Sequence, residues 1–482
     1  MRGKRIILTA LGAMALAALA ARAPAAAKPA AEADPKSTKP ATRPAEPDKA
    51  SPGEKLFAEG RDAMFRGDYK KAIELLTGAV AADKSKTRYR LALARAHRYA
   101  GNMAQAEKLL TEILAASPDH VEAGQILGEV YTRQEKWKQA VKVLEGLLKY
   151  RHDYPTYHML AEAKYNLDDH EKARKYFEEA IKLNPNSASD HYQLGNIYLA
   201  GNSFAMAAAS YRKALSLGLH APVLHYKLAS AYFNLRNYFG RVREVTVKSG
   251  KPGTISGSWY LIEPVPGRKD VFRAAPSNSA IYQIAKAIDA GLKDQPDIRF
   301  LRANIYLNAR RYRQAYDMFK AIEATTPKED KALFYYYFAQ AAFGVGNYDE
   351  HLTLLKKAIE LDEKAYKATL VDAYVRVAEQ RNQRGDLDGY IRYLKMAVAE
   401  APKKASLHLK LGNAYEEARK YPQAAVQWRM VLDLETDHPQ RMKLLDLIGK
   451  YSSAGGQPTD KKPAKDKPAA KPTVKPAANR AA

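Results

Sequence analysis

The chain has no cysteine in 482 residues. This excludes disulfides, thiolate metal sites, a cysteine nucleophile and a lipidated N-terminal cysteine. Long hydrophobic runs are also lacking. Ile6 to Ala20 is the longest, at 15 residues, short of the roughly 20 that a comfortable membrane span needs, and no later segment reaches that length. There is no His-Glu-x-x-His motif. The 11 histidines are scattered, and His220 and His225 have the wrong spacing for one helical face. Gly250, Gly253 and Gly257 lack the Gly-Lys-Ser/Thr that closes a phosphate loop, so they read as turn and strand glycine. No Gly-x-Ser-x-Gly elbow occurs. The carboxylates lie in lysine-rich settings that pair them at i, i+4. No catalytic residue, metal or cofactor is expected, and the chain reads as a non-enzyme.

What is present begins with a basic start, Arg2, Lys4 and Arg5, then the apolar run, then Ala25-Ala26-Ala27. This predicts a signal peptide over 1–27, cleaved or kept as an anchor, and hence an exported, periplasmic or cell-envelope protein. Residues 28–51 and 452–482 are rich in Ala, Pro and Lys and are expected to be a disordered linker and a disordered basic tail. The formal charge is +25, of which about +15 falls to 52–451. Such an excess suits acidic proteins, anionic lipid or wall polymer. Nucleic acid is not expected, because the lysines are spread rather than clustered.

Between the ends the sequence repeats. Small residues in an apolar helical context recur at Gly60, Ala94, Gly128, Ala161, Gly195 and Ala229, then at Ala303, Ala339, Ala378 and Gly412. The step is 33 or 34 except around the jump from Ala229 to Ala303, which is 40 residues too long, and in the later units. Twelve residues after each mark comes another alanine, such as Ala72, Ala106, Ala140, Ala173, Ala207, Ala315 and Ala424; His351 and Tyr390 break the rule. Gly67-Asp68, Gly101-Asn102, Gly201-Asn202, Gly346-Asn347 and Gly385-Asp386 lie between the marks, where glycine ends one helix and Asp or Asn caps the next. Each unit is a helical hairpin, and its small residues allow close approach along the seam. Leu76, Leu110, Leu144, Phe177, Tyr211, Phe319 and Trp428 are expected to fill the gaps to the next unit.

Leu194-Gly195 with Tyr198, Ala207, Tyr211 and Ala214, and Leu411-Gly412 with Tyr415, Ala424 and Trp428, resemble the tetratricopeptide repeat (TPR) signature. The resemblance covers 52–438 and implies an all-α fold: a right-handed α-α superhelical solenoid of about ten units, with a small β-hairpin or meander insert. The expected organisation is units 1–5 and the first helix of unit 6 over 52–237, the insert over 238–277, the second helix of unit 6 and units 7–10 over 278–438, and a capping helix over 439–451. A true break at the insert, giving two solenoid domains, is the other arrangement.

In proteins that this chain resembles, the first helices line a groove that holds extended peptides or partner helices. Residues three before and one after each first-helix mark share a face: Tyr192 and Asn196, Tyr226 and Ser230, Phe300 and Asn304, Tyr336 and Gln340, with Asn413 beside Leu409. Rings paired with amides or hydroxyls suit a peptide backbone. The place of a carboxylate-holding lysine is taken by Tyr192, Phe300 and Leu409. On the insert, Trp259 and Tyr260 are expected at the surface, packing on the solenoid or meeting a partner. These features predict a protein-protein interaction scaffold for envelope assembly or secretion. The alternative is a protein that holds anionic glycan or cell-wall polymer through basic and aromatic surface.

Overall fold

The computed structural model describes residues 51–247, 253–255, 259–292 and 295–453. The expected signal, most of the linker, most of the tail, and Gly250 and Gly257 lie outside the described residues. The rest forms two compact units, one ending at Asp330 and the other beginning at Lys331. The division falls there and not at the β insert.

In the first unit the helices are α1 (Pro52–Phe65), α2 (Tyr69–Ala82), α3 (Thr87–Tyr99), α4 (Met103–Ala116), α5 (Val121–Arg133), α6 (Trp137–Leu147), α7 (Tyr154–Asn166), α8 (His170–Leu183), α9 (Ala188–Ala200), α10 (Phe204–Ser216) and α11 (Pro222–Asn234). After the insert come α12 (Ala280–Ala287), α13 (Pro296–Asn308) and α14 (Tyr312–Ile322). The second unit holds α15 (Lys331–Gly344), α16 (Tyr348–Leu361), α17 (Glu363–Gln383), α18 (Leu387–Glu400), α19 (Ala405–Glu417), α20 (Tyr421–Leu434) and α21 (Arg441–Ser453). Ser51, counted with the linker by composition, caps α1 by accepting from the Glu54 amide.

Consecutive helices pair as hairpins, and the seam shows why the marks are small. A Cβ on Gly60 would stand 2.7 Å from Leu76, on Gly128 2.5 Å from Leu144, on Gly195 2.6 Å from Tyr211 and on Gly412 2.6 Å from Trp428. The large residue 16 positions later therefore seats over the small residue of its own hairpin, besides packing toward the next. Leu76, Leu144, Tyr211 and Trp428 are all fully buried. Burying a side chain of this kind stabilises by roughly 1.5–3 kcal/mol.

The inner turns carry their own period. One residue per hairpin lies in the left-handed region: Gly67, Gly101, Glu135, Asp168, Asn202, Arg236, Arg310, Gly346, Gly385 and Arg419. At the fifth hairpin this is Asn202, not Gly201, and Ser203 instead of Asn202 occupies the N-cap of α10; Asn tolerates the region better than most side chains. At Glu135, Asp168, Arg236, Arg310 and Arg419 an ordinary side chain is forced into it.

Arg236 marks where the insert leaves the sixth hairpin. Strands β1 (Arg243–Thr246), β2 (Gly253–Ile255), β3 (Trp259–Pro264) and β4 (Val271–Pro276) follow. They form one antiparallel sheet in the order β1-β4-β3-β2. Thus β2, β3 and β4 are a meander and β1 is added to its far edge, pairing Val245 with Phe272. A bulge separates Leu261 from Glu263. Backbone bonds from the Ala280 amide to the Asn237 carbonyl (2.9 Å) and from Ile281 to Tyr238 (3.0 Å) bring the two ends together. The hairpin then resumes with α12, which ends in a π turn over Ile288–Leu292.

Tyr260 corrects the surface expectation for the insert. It is buried, and its hydroxyl accepts from Arg302 of α13 at 2.9 Å. Glu263 pairs with Arg273 within the sheet and with Arg311 at the start of α14. Trp259 is half-buried, with the Arg243 guanidinium 3.5 Å from its ring centre. The sheet is docked by these contacts because its apolar side chains would otherwise face water.

Candidate interaction groove

Along the first helices of four successive hairpins, α1, α3, α5 and α7, runs an open cavity of 830 Å³. Arg95, Tyr99, Gln125, Glu129, His158 and Glu162 line it. Helical spacing places them: Arg95 and Tyr99 are four apart on α3, Gln125 and Glu129 on α5, His158 and Glu162 on α7. Gln125 and Glu129 on α5 occupy the same two levels as His158 and Glu162 on α7, Arg95 on α3 shares the level of Glu129 and Glu162, and α1 contributes Met64.

The charges of the cavity are largely matched from one hairpin to the next. Arg95 pairs with Glu122, and Arg98 with Glu129. Arg133 adds to Glu129 at 2.8 Å. Gln125 donates to the Asp153 carboxylate at 2.7 Å, and Asp153 caps α7 by accepting from the Thr156 amide. Burial pushes the Asp153 carboxyl up, but these hydrogen bonds and Arg151 more than offset it, so it sits below its ordinary value. His158 donates from Nδ1 to the fully buried Asp190 at 2.6 Å. Burial lowers the imidazole, yet the hydrogen bond and charge of Asp190, helped by Glu162, leave it raised overall. The other carboxylate oxygen of Asp190 is buried without a partner among the described residues.

Several of the lining residues sit at positions that the repeat selects. The rule of three before and one after each mark gives Gln125 with Glu129 and His158 with Glu162 in units 3 and 4. The central units drew attention because their residues are aromatic.

Those central residues lie elsewhere. Tyr192 is half-buried, and Asn196 below it accepts from the Tyr211 hydroxyl (2.9 Å) and from Lys227 (2.7 Å) while donating to Gln193 (2.8 Å). The Lys227 ammonium stands 5.2 Å from the Tyr192 ring centre. The structure thus joins Tyr192, Asn196 and a lysine from the following hairpin that position analysis did not single out. Burial lowers the Lys227 pKa to about 8. Tyr226 is buried, its hydroxyl raised by burial and by Asp297, and Ser230 donates to the Tyr226 carbonyl at 3.1 Å. Phe300 is buried, and Asn304, fully buried, donates to the Phe300 carbonyl at 3.0 Å.

In the second unit Tyr336 stacks on Tyr366 with ring centres 5.1 Å apart. Gln340 accepts from Arg376 at 3.2 Å. Asn413 is exposed and its oxygen accepts from the Trp428 indole at 3.0 Å. Much of the amide capacity expected to meet a ligand is engaged within the chain. Among the described residues no cluster of three or more His, Asp or Glu could hold a metal ion, and no helix is long and apolar enough to cross a membrane.

Comparison with known proteins gives three family models, each described as "Tetratricopeptide repeat", over residues 57–121, 97–164, and 154–187 with 191–217. Over 170 residues the chain is 25% identical to Protein O-mannosyl-transferase TMTC1 of Homo sapiens, covering 34% of this chain and 19% of that protein. Over 126 residues it is 35% identical to Cellulose synthase operon protein C of Xanthomonas axonopodis pv. citri (strain 306), covering 24% of this chain and 8% of that protein. The chain therefore spans less than a fifth of the length of either relative. Among solved structures, MamA residues 41 to the end from Desulfovibrio magneticus RS-1 is similar at 21% identity and a TM-score of 0.34, covering 35% of this chain and 95% of that one.

Proposed function

Because this chain carries tetratricopeptide repeats, we propose that it is a non-enzymatic protein-interaction scaffold. It holds an extended segment of a partner along α1, α3, α5 and α7. The observation that carries this reading is the 830 Å³ cavity, lined by four successive first helices, with Arg95, Glu129 and Glu162 at one shared level and Gln125 and His158 at another. An extended peptide advances by a constant rise per residue, so it can meet one such level after another. The internal pairing of Arg95 and Arg98 with glutamates favours a segment of mixed charge. A uniformly anionic polymer would have to compete with Glu122 and Glu129 for those arginines.

The setting we propose is the cell envelope, with a role in assembly or secretion of envelope material. The basic, apolar, small-residue start supports it. So does the similarity of 126 residues to a protein named for a cellulose synthase operon. Fusing residues 1–60 to a reporter that is active only after export tests the location; an inactive reporter would sink it. A photo-crosslinking residue at Tyr99, exposed in the groove, tests the binding surface. It should capture defined envelope proteins, and the same residue at Tyr150, exposed in the loop after α6, should not. Equal capture at both positions would overturn the groove assignment.

A further inference from the structure

A second cavity, of 860 Å³, opens between α10, α11 and α12 beside the exit of the β insert. Its charge is one-sided. Arg212 and Lys213 from α10, His220 from the following loop, His225 from α11 and Lys286 from α12 all line it. None of the described lining residues is an aspartate or glutamate. Arg212, Lys213 and Lys286 make no ion pair among the described residues. Arg212, Lys213 and His220 are exposed at the rim, His225 and Lys286 are half-buried, and Tyr232 and Tyr282 are buried at the base. Three permanent cations gathered without a counter-charge repel one another, whereas Arg88, Arg95, Arg98, Arg133 and Arg174 on other helices of this unit each have a glutamate partner.

We propose that this cavity binds a small, multiply charged anion of the phosphomonoester or pyrophosphate class. The site is separate from the peptide groove and does not rest on it. A single carboxylate would leave two of the permanent cations unmatched, whereas a dianion leaves one and a trianion none. The volume lies in the range of small-ligand sites, about 300–1,000 Å³, and the two tyrosines offer ring surface to an organic group.

His225 ties binding to a proton. Gln283 donates from Nε2 to the Ser277 carbonyl at 2.6 Å. A carbonyl oxygen only accepts, so this bond fixes the amide and turns its oxygen toward His225. Nδ1 of His225 therefore carries the hydrogen that bonds this oxygen at 2.7 Å. Burial, with the positive charges of His220 and Lys286, holds His225 below its ordinary value against the Gln283 bond. The empty cavity thus has a neutral ring with a lone pair on Nε2. A bound anion reverses the local charge, Nε2 takes one proton from solvent, and the ring then donates from Nε2 as well as from Nδ1. The other groups facing this ring are Arg212 and Lys213 further out and the tyrosines at the base. Burial raises the Tyr282 hydroxyl, as does Asp289, which is not among the lining residues.

The test uses the full chain, titrated with sodium pyrophosphate and sodium sulfate against acetate and chloride at equal ionic strength. The readouts are the melting temperature and the His225 ring resonance. Pyrophosphate should raise the melting temperature saturably and raise the His225 pKa. Sulfate, which does not titrate near neutrality, should bind more tightly as pH falls from 7.5 to 6. The double variant R212Q/K286M should melt no lower without ligand and bind pyrophosphate about tenfold more weakly per cation removed. Should the double variant not fold, R212Q alone carries this test, since Arg212 is exposed. Equal stabilisation by acetate, or an undiminished response in R212Q, would overturn the proposal. Binding of a polyglutamate peptide where pyrophosphate fails would overturn it in favour of an acidic protein segment.

Discussion

Lys227 reaches from α11 to the preceding hairpin, where its ammonium donates to Asn196 Oδ1 at 2.7 Å above the Tyr192 ring. No carboxylate offsets its burial, and its pKa falls to about 8. Unfolded, the lysine keeps its proton to about pH 10.4. Between these values the unfolded chain binds more protons than the folded one, so stability rises with pH and the penalty is full below pH 8. Replacing Lys227 by Met should therefore stabilise the first unit by about 1–2 kcal/mol at pH 7, after the loss of the Asn196 bond. The gap should close by pH 10.5. Urea midpoints at pH 7 and 10 measure this; a variant less stable than wild type at pH 7 would show that the ammonium is compensated.

His351 stands where most units have alanine. It is fully buried in the second unit, donates from Nδ1 to the Ala339 carbonyl at 2.8 Å, and leaves Nε2 without a partner among the described residues. Burial holds its pKa at about 4. On acidification the unfolded histidine charges first, from about pH 6.5. The folded ring follows only near pH 4, and about 2–3 kcal/mol of stability is lost in that window. His351→Ala should flatten this dependence, although it leaves a small cavity. Parallel curves for wild type and variant between pH 7 and 4.5 would refute the assignment.

Gly412→Ala separates two opposing effects. Alanine favours a helix interior by about 1 kcal/mol, but its Cβ would meet the buried Trp428 indole at 2.6 Å. The ring is fully buried and holds the Asn413 side chain, so the clash should prevail and cost about 1–3 kcal/mol. Gly146→Ala in α6 is the control, because a Cβ there meets nothing within 4 Å, and it should be neutral or stabilising. Circular dichroism melts of both variants decide the matter, and a Gly412→Ala protein as stable as wild type would count against a tight seam.

Arg419 has φ 56° in the turn between α19 and α20, where Gly385 has φ 75° in the equivalent turn before it. A side chain in this region is strained by about 1–2 kcal/mol, partly offset by the greater unfolded-state freedom of glycine. Arg419→Gly should gain about 0.5–1 kcal/mol, and Gly385→Ala should lose about as much. The opposite sign in either melt would place the turn strain elsewhere.

The 34-residue step, the small seam residues and the turn positions can be read from the chain because they are local. A hairpin needs Gly or Ala where Leu76, Tyr211 or Trp428 crosses it, and it needs one left-handed residue per turn. The presence of a β insert was legible for the same reason. That β1 pairs with β4, that Tyr260 turns inward to Arg302, and that Asn196 meets Lys227 from the next hairpin were settled by contacts between segments distant in sequence. The same holds for the candidate sites. Gln125, Glu129, His158 and Glu162 occupy positions that a periodic rule selects, but only packing shows that they share one cavity. His220 and His225 look unrelated along the chain. Tertiary structure gathers them with Arg212 and Lys286, because the insert displaces the second helix of its hairpin while its ends stay pinned at Asn237 and Ala280. Periodicity by itself determined the repeating backbone, since close packing of one hairpin is a matter of side-chain size at fixed spacing. Which polar groups are matched within the chain and which stay open to a ligand depended on charges brought together through space.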